Sequence, residues 1–179
     1  MWCGKGDLGD VQMSSSANVK MTSASSSLLV VNLRGLVNTR SPVRTTLEQL
    51  RLTHRFNATI VPDDEVFRGM LSSAKEHIAW CTADEQLAER LFSKRLEISN
   101  GKRVSEADLK SLSGFSSFSE LAKAVSSGKV RLDGSQGFRP FFRLNPPRGG
   151  FKRSTRRQYG QGGILGPNKE LGKVVERMI

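Results

Sequence analysis

The chain has 179 residues, with 28 Lys and Arg against 17 Asp and Glu, a formal net charge of +11. That length suits one domain with a substantial apolar core, and the two cysteines, Cys3 and Cys81, fit neither a disulfide framework nor a repeated metal-ligand spacing. No apolar run is long enough to span a bilayer and no secretory leader opens the chain, so we expect a soluble protein of a reducing interior compartment with no membrane partner.

Residues 1–27 are serine-rich and poor in large apolar side chains, which predicts a disordered extension, or a segment upstream of a later start at Met13 or Met21. LLVVNLRG at 28–35 reads as a buried strand closed by glycine. Ser41 and Pro42 then read as a helix start, the serine as cap and the proline in the first turn. Val43, Leu47 and Leu50 make one apolar stripe on that helix, with Arg44 and Arg51 sharing a flank. NATIV, ending at Pro62, is the second strand, and Asp63, Asp64 and Glu65 place negative charge at the start of a second helix. Val66, Phe67, Met70, Leu71, Ala74 and Ile78 are its expected buried face, and IAWC at 78–81 is the third strand. This order predicts an α/β fold of two layers, a three-stranded sheet with two helices on one face.

Beyond residue 83 the expected helices are shorter. One spans 84–96, one starts at Ser105 with Asp108 as capping-box partner, and one starts at Ser117 with Glu120 in the same role and Gly128 as its stop. FRPFFRL at 138–144 suits an edge strand, because Pro140 lacks the amide that a central strand needs. A stiff NPP, a glycine- and arginine-rich stretch and a short helix from Glu170 to Ile179 complete the chain. The expected organisation is therefore 1–27 extension, 28–82 core, 83–133 helical addition and 134–179 basic arm with a terminal helix.

The basic residues are segregated. Residues 28–62 carry net +4 and residues 134–179 net +8, whereas 63–133 carry net −1. A solubility charge would be spread evenly, so this pattern points to an anion-facing surface built from both ends of the domain. From Gly134 to Lys169 eight Lys or Arg occur with no Asp or Glu, interleaved with Phe138, Phe141, Phe142, Phe151 and Tyr159. Arginine forks suit phosphate and aromatic rings can stack on unpaired bases, a mixture that favours RNA. Phe138 and Phe142 read more simply as core.

Catalytic readings find little support. GQGGILG at 160–166 lacks the final glycine of a dinucleotide fingerprint and the acidic residue that should follow, and Gly101-Lys102 is followed by Arg103, not by the Ser or Thr of a Walker loop. His54 and His77 are solitary, Cys81 beside Trp80 reads as packing, and helix-start electrostatics accounts for the acidic run at 63–65. No enzymatic activity, cofactor, metal or small-molecule substrate is expected.

LRGLVNTR at 33–40, LRLTHRFNATIVPD at 50–63, RGML at 68–71 and FRLNPPRGG at 142–150 resemble, in order, the universal ribosomal protein family numbered thirty in the large subunit. The longer archaeal type, whose eukaryotic relatives are numbered seven, is the better fit, and the resemblance runs over about residues 27–179. It implies a ferredoxin-like βαβαβ core and a structural constituent of the cytoplasmic large ribosomal subunit that binds its ribosomal RNA, the 5S species among the candidates, beside neighbouring ribosomal proteins. It implies a role in translation and subunit assembly; an assembly factor of the same fold that leaves the mature particle is the alternative. The RNA surface it implies comprises Arg34, Gly35, Asn38, Arg40, Arg44 and Arg51, then Pro146, Pro147, Arg148, Gly149 and Gly150, then Arg156, Arg157, Tyr159, Gly162 and Gly163; the basic character of the later stretch adds Arg143, Lys152 and Arg153 as candidate RNA contacts. Residues 1–26 have no counterpart in the resemblance, and Lys152 to Arg157 is more basic than the family pattern.

Overall fold

The computed structural model describes residues 26–132 and 137–179; residues 1–25 of the expected 1–27 extension lie outside the described residues, and Ser27, expected in that extension, is buried and opens the first strand. β1 (Ser27–Asn32), α1 (Ser41–Gln49), β2 (Asn57–Pro62), α2 (Glu65–Ser73) and β3 (Ile78–Thr82) follow one another in the expected order. β2 and β3 both pair antiparallel with β1, one on each side, Leu29 lying opposite Ile60 and Cys81. α3 (Glu85–Arg95), α4 (Glu106–Ser113) and α5 (Phe118–Ser126) come next, then β4 (Phe142–Arg143), β5 (Ser154–Gln158), β6 (Gly163–Pro167) and α6 (Leu171–Glu176).

The three-stranded sheet is corrected to six strands in the order β4-β2-β1-β3-β6-β5. The extra strands are weak in sequence. β4 has two residues, β5 reads STRRQ and β6 reads GILGP, so none carries the apolar run that marks a buried strand. Part of the expected basic arm is thus sheet. Phe142 and Phe138 are both core, nearly fully buried.

The two-layer expectation is also corrected, because both faces of the sheet are covered. Leu28 and Val30 of β1 join Leu47, Leu50, Leu71, Ala74 and Ile78 under α1 and α2. Leu29 and Val31, pointing the other way, join Leu91, Phe92, Leu109, Leu121, Val125 and Phe142. An unbroken LLVV run is apolar on both faces and therefore requires two covers. Both expected helices were assigned to one face, which left half of β1 without a partner. The helices after residue 83 supply it.

Local signals behave as their chemistry dictates, with several shifts. Ser105 and Asp108 form the complete capping box, whereas the Ser117 hydroxyl accepts from the Glu120 amide and the Glu120 carboxylate turns to the amide of Ser116. At α1 the cap position falls on Arg40 and no side chain caps the helix, so Ser41 is not the cap. Arg51 lies beyond α1 at φ +58, so it shares no helix flank with Arg44. Val66 is 67% exposed, because Phe67, Met70, Leu71 and Ala74 alone hold the spacing of one helix face. At the start of α2, Arg68 grips Asp63 at both oxygens, at 2.6 and 2.7 Å. That hydrogen-bonded guanidinium holds the Asp63 carboxyl below the usual range.

At the end of β1, Asn32 is fully buried. Its Nδ2 donates to the Leu52 carbonyl at 2.7 Å, and its Oδ1 accepts from the amides of Gly35 at 2.8 Å and Arg34 at 3.2 Å. One side chain thereby joins strand, following loop and the α1–β2 connection. Asn32→Ala orphans these buried groups, and we expect a loss of about 2–4 kcal/mol in urea unfolding; a change below about 1 kcal/mol would contradict this role.

Candidate nucleic-acid interface

Strand direction decides which residues meet. β1 ends where β2 and β3 begin, since Val31 faces Ala58 and Asn32 faces Ile78. The loop 33–40, the connection 51–56 and the turn before β3 therefore share one end of the sheet. β4 brings Arg143 opposite Asn57 at that same end. β6 pairs with β3 only through Gly166 and Pro167, so Gly163–Leu165 overhang the start of β3 and carry β5 with them. Arg156 and Arg157 of β5 consequently belong to this end as well. The two basic segments of the sequence converge through topology.

The convergence is fastened by specific contacts. The Arg55 Nε donates to the Leu33 carbonyl at 3.0 Å, and its guanidinium lies 4.7 Å from the centroid of the Phe56 ring. Phe56 stacks in turn on Phe151, with ring centroids 6.2 Å apart, and its carbonyl accepts from the Leu144 amide at 3.0 Å. Asn38, Arg51 and Phe56 are the non-glycine residues at positive φ among the described residues, and they fall in the loop and the connection. Left-handed backbone in such residues costs free energy and is characteristic of functional surfaces. In the later segment Gly149 and Gly150 have φ of +77 and +71, conformations open to glycine at little cost. At Gly163 a Cβ would collide with the Arg157 carbonyl oxygen, so β5 and β6 can meet only over a hydrogen.

The expected binding residues divide by electrostatics. Arg34, Asn38, Arg40, Arg51, Arg143, Arg148, Lys152, Arg156 and Arg157 are exposed, and none of the cations among them has a carboxylate partner among the described residues. Arg34 is partly anchored, its Nη1 donating to the Glu76 carbonyl at 3.2 Å. Arg44 instead pairs with Glu48 at 3.0 Å, and Arg153 pairs with Glu170 at 3.2 Å while lying over the Tyr159 ring. Arg51 stands apart, lining a recess along β2 with Arg131, Thr59 and Phe67. Lys152 and Arg153 face α6 across a cavity of about 730 Å³ that also holds Glu170 and Glu176.

A smaller recess of about 370 Å³ has no single marker in the sequence. It is lined by His54, Arg55, Asn57, Arg143 and Leu144. His54 and Arg55 lie within LRLTHRFN, and the adjacent pair of basic side chains was the available signal; the strand pairing that brings Arg143 to Asn57 was not visible. Cys81 is mostly buried and its thiol is pushed up to about 11, so the thiolate that chemistry would need is scarce at neutral pH. No group of three His, Cys, Asp or Glu suited to a metal ion occurs among the described residues.

The family described as Ribosomal protein L30p/L7e matches residues 28–78. A large ribosomal subunit protein uL30 of Nitrosopumilus maritimus is 42% identical over 152 residues, 85% of this chain and 97% of the relative. Its namesakes in Cenarchaeum symbiosum and Korarchaeum cryptofilum are 40% and 39% identical, over 84% and 85% of this chain and 97% and 94% of theirs.

His77, at the turn before β3, adds a pH response. Burial, and then the Arg34 guanidinium, hold its imidazole below the ordinary value of 6.5. Folding favours the neutral ring, so its contribution is complete above that value and is lost as pH falls through the lowered pKa. We expect wild-type stability to fall more between pH 7.5 and pH 5 than that of His77→Gln; equal losses in parallel urea titrations would remove His77 from the account.

Proposed function

The chain belongs to the L30p/L7e ribosomal protein family, and from that premise we propose that it is a structural constituent of the large ribosomal subunit, located on the ribosome, that binds the subunit's RNA through the basic end of its sheet. The observation that carries this reading is the gathering of unpaired cations from two distant segments, Arg34 and Arg40 with Arg143, Arg156 and Arg157, at one end of the fold. Concentrating like charge raises the free energy of the isolated protein, and a polyphosphate partner offsets that cost.

The physical work is positioning and charge neutralisation. Guanidinium forks take phosphate oxygens in pairs, while the Phe56–Phe151 stack holds the α1–β2 connection against the later segment. Two neutralised residues contribute less. Removing Arg44 or Arg153 also releases Glu48 or Glu170 from its bridge, and exposed pairs of this kind contribute only about 0–1 kcal/mol to stability. The partners proposed are large-subunit ribosomal RNA, with the 5S species as one candidate, and neighbouring ribosomal proteins. No catalytic step is assigned.

Binding of the full chain to an in vitro transcript of its large-subunit ribosomal RNA, measured over a salt series, tests the reading. Each phosphate contact removed should flatten the slope of log affinity against log salt by about 0.7–0.9, so Arg143→Ala, Arg156→Ala and Arg157→Ala together should flatten it by about 2–3. Arg44→Ala should change it far less. An unchanged slope in the triple variant would overturn the assignment. Sedimentation of cell extract then separates the roles: retention in translating ribosomes supports a constituent, and occurrence in precursor particles alone would make it an assembly factor.

A further inference from the structure

We infer that the recess between the α1–β2 connection and β4 is a receptor for one unpaired nucleotide of the bound RNA, preferring adenine; this rests on the RNA-binding reading above. The walls are chemically complete for such a unit. Arg55 and Arg143 have no carboxylate partner among the described residues, and they line the recess together with His54, Asn57 and Leu144. Arg55 is held in place by its Nε bond to the Leu33 carbonyl and by the Phe56 ring against its guanidinium. Arg143 is held by strand pairing opposite Asn57. Two guanidiniums lining one recess are the groups that grip a phosphate.

Asn57 distinguishes this recess from a generic basic patch. The residue is 3% exposed, yet its side-chain Nδ2 has no hydrogen-bond partner. A buried amide left unsatisfied in a folded protein calls for an explanation, and a ligand is one. An amide offers a donor and an acceptor side by side, the pattern that complements the amino group and adjacent ring nitrogen of adenine. His54 is exposed at the rim, where an imidazole can stack on a base, and Leu144 provides an apolar wall. About 370 Å³ is the volume of a small-ligand site. The larger cavity beside α6 has Arg153 bridged to Glu170 and Glu176 bridged to Arg90, and no residue of its lining has a buried side-chain nitrogen or oxygen without a partner.

Fluorescence-anisotropy titrations of the full chain with ribodecamers of A, U and C at low salt test the inference. Wild type should bind the A decamer about tenfold more tightly than the others. Asn57→Ala should erase that preference, and His54→Ala, which alters only an exposed side chain, should reduce it without disturbing the fold. Arg156→Ala with Arg157→Ala should weaken all three decamers and keep the preference. Equal affinity of wild type for all three, or a preference retained in His54→Ala and Asn57→Ala alike, would overturn the receptor while leaving RNA binding intact. Failure of wild type to bind any decamer or the ribosomal RNA transcript would overturn the RNA reading and the receptor with it.

Discussion

The three hydrogen bonds of the buried Asn32 side chain are the constraint from which the site geometry follows. β1 is the central strand of the original three, and its end would otherwise leave polar backbone beside an apolar core. Asn32 satisfies that backbone and sets the exit of the loop carrying Arg34, Asn38 and Arg40. Through Leu52 it also sets the connection that carries His54 and Arg55. The Arg55 bond back to Leu33 closes a small ring of contacts around one strand end. A basic surface built from loops gains its shape from this polar clasp, since exposed arginines cannot position one another.

Electrostatic segregation gives that end its purpose. Several acidic side chains are occupied elsewhere: Asp63 with Arg68, Glu97 with Arg139, Glu176 with Arg90. Among the cations without a carboxylate partner, those of residues 34–57 and 143–157 are brought together by strand pairing although about a hundred positions separate the two segments in sequence. Membership of a ribosomal family and this charge pattern both accord with the polyanionic partner proposed above.

Much of the core was legible in the sequence. The apolar runs of β1, β2 and β3 mark themselves, and so do the stripe of Leu47 and Leu50 and the capping pair Ser105 and Asp108. What was not legible has common causes. β5 is paired although its own residues are polar, because β6 and a side-chain-free Gly163 accept it, and period alone cannot reveal a strand stabilised by its neighbour. The second cover of the sheet was implied by the unbroken LLVV run, but its identity depended on long-range packing of α3 and α5. The same limit applied to the site. The arginines of the later segment looked uniformly unpaired, yet Glu170, just past the basic stretch, neutralises Arg153. The recess at Asn57 needed the pairing with β4, which two residues of strand could not announce.

The central claim is that one end of the sheet faces ribosomal RNA and the helical faces do not. Ultraviolet crosslinking of purified large subunits, with crosslinked peptides mapped by mass spectrometry, measures this most directly. The account predicts RNA adducts concentrated in residues 32–40, 51–57 and 143–158. Adducts concentrated instead on the outer faces of α1 and α2 or of α3 and α5, with those three segments unmodified, would contradict it.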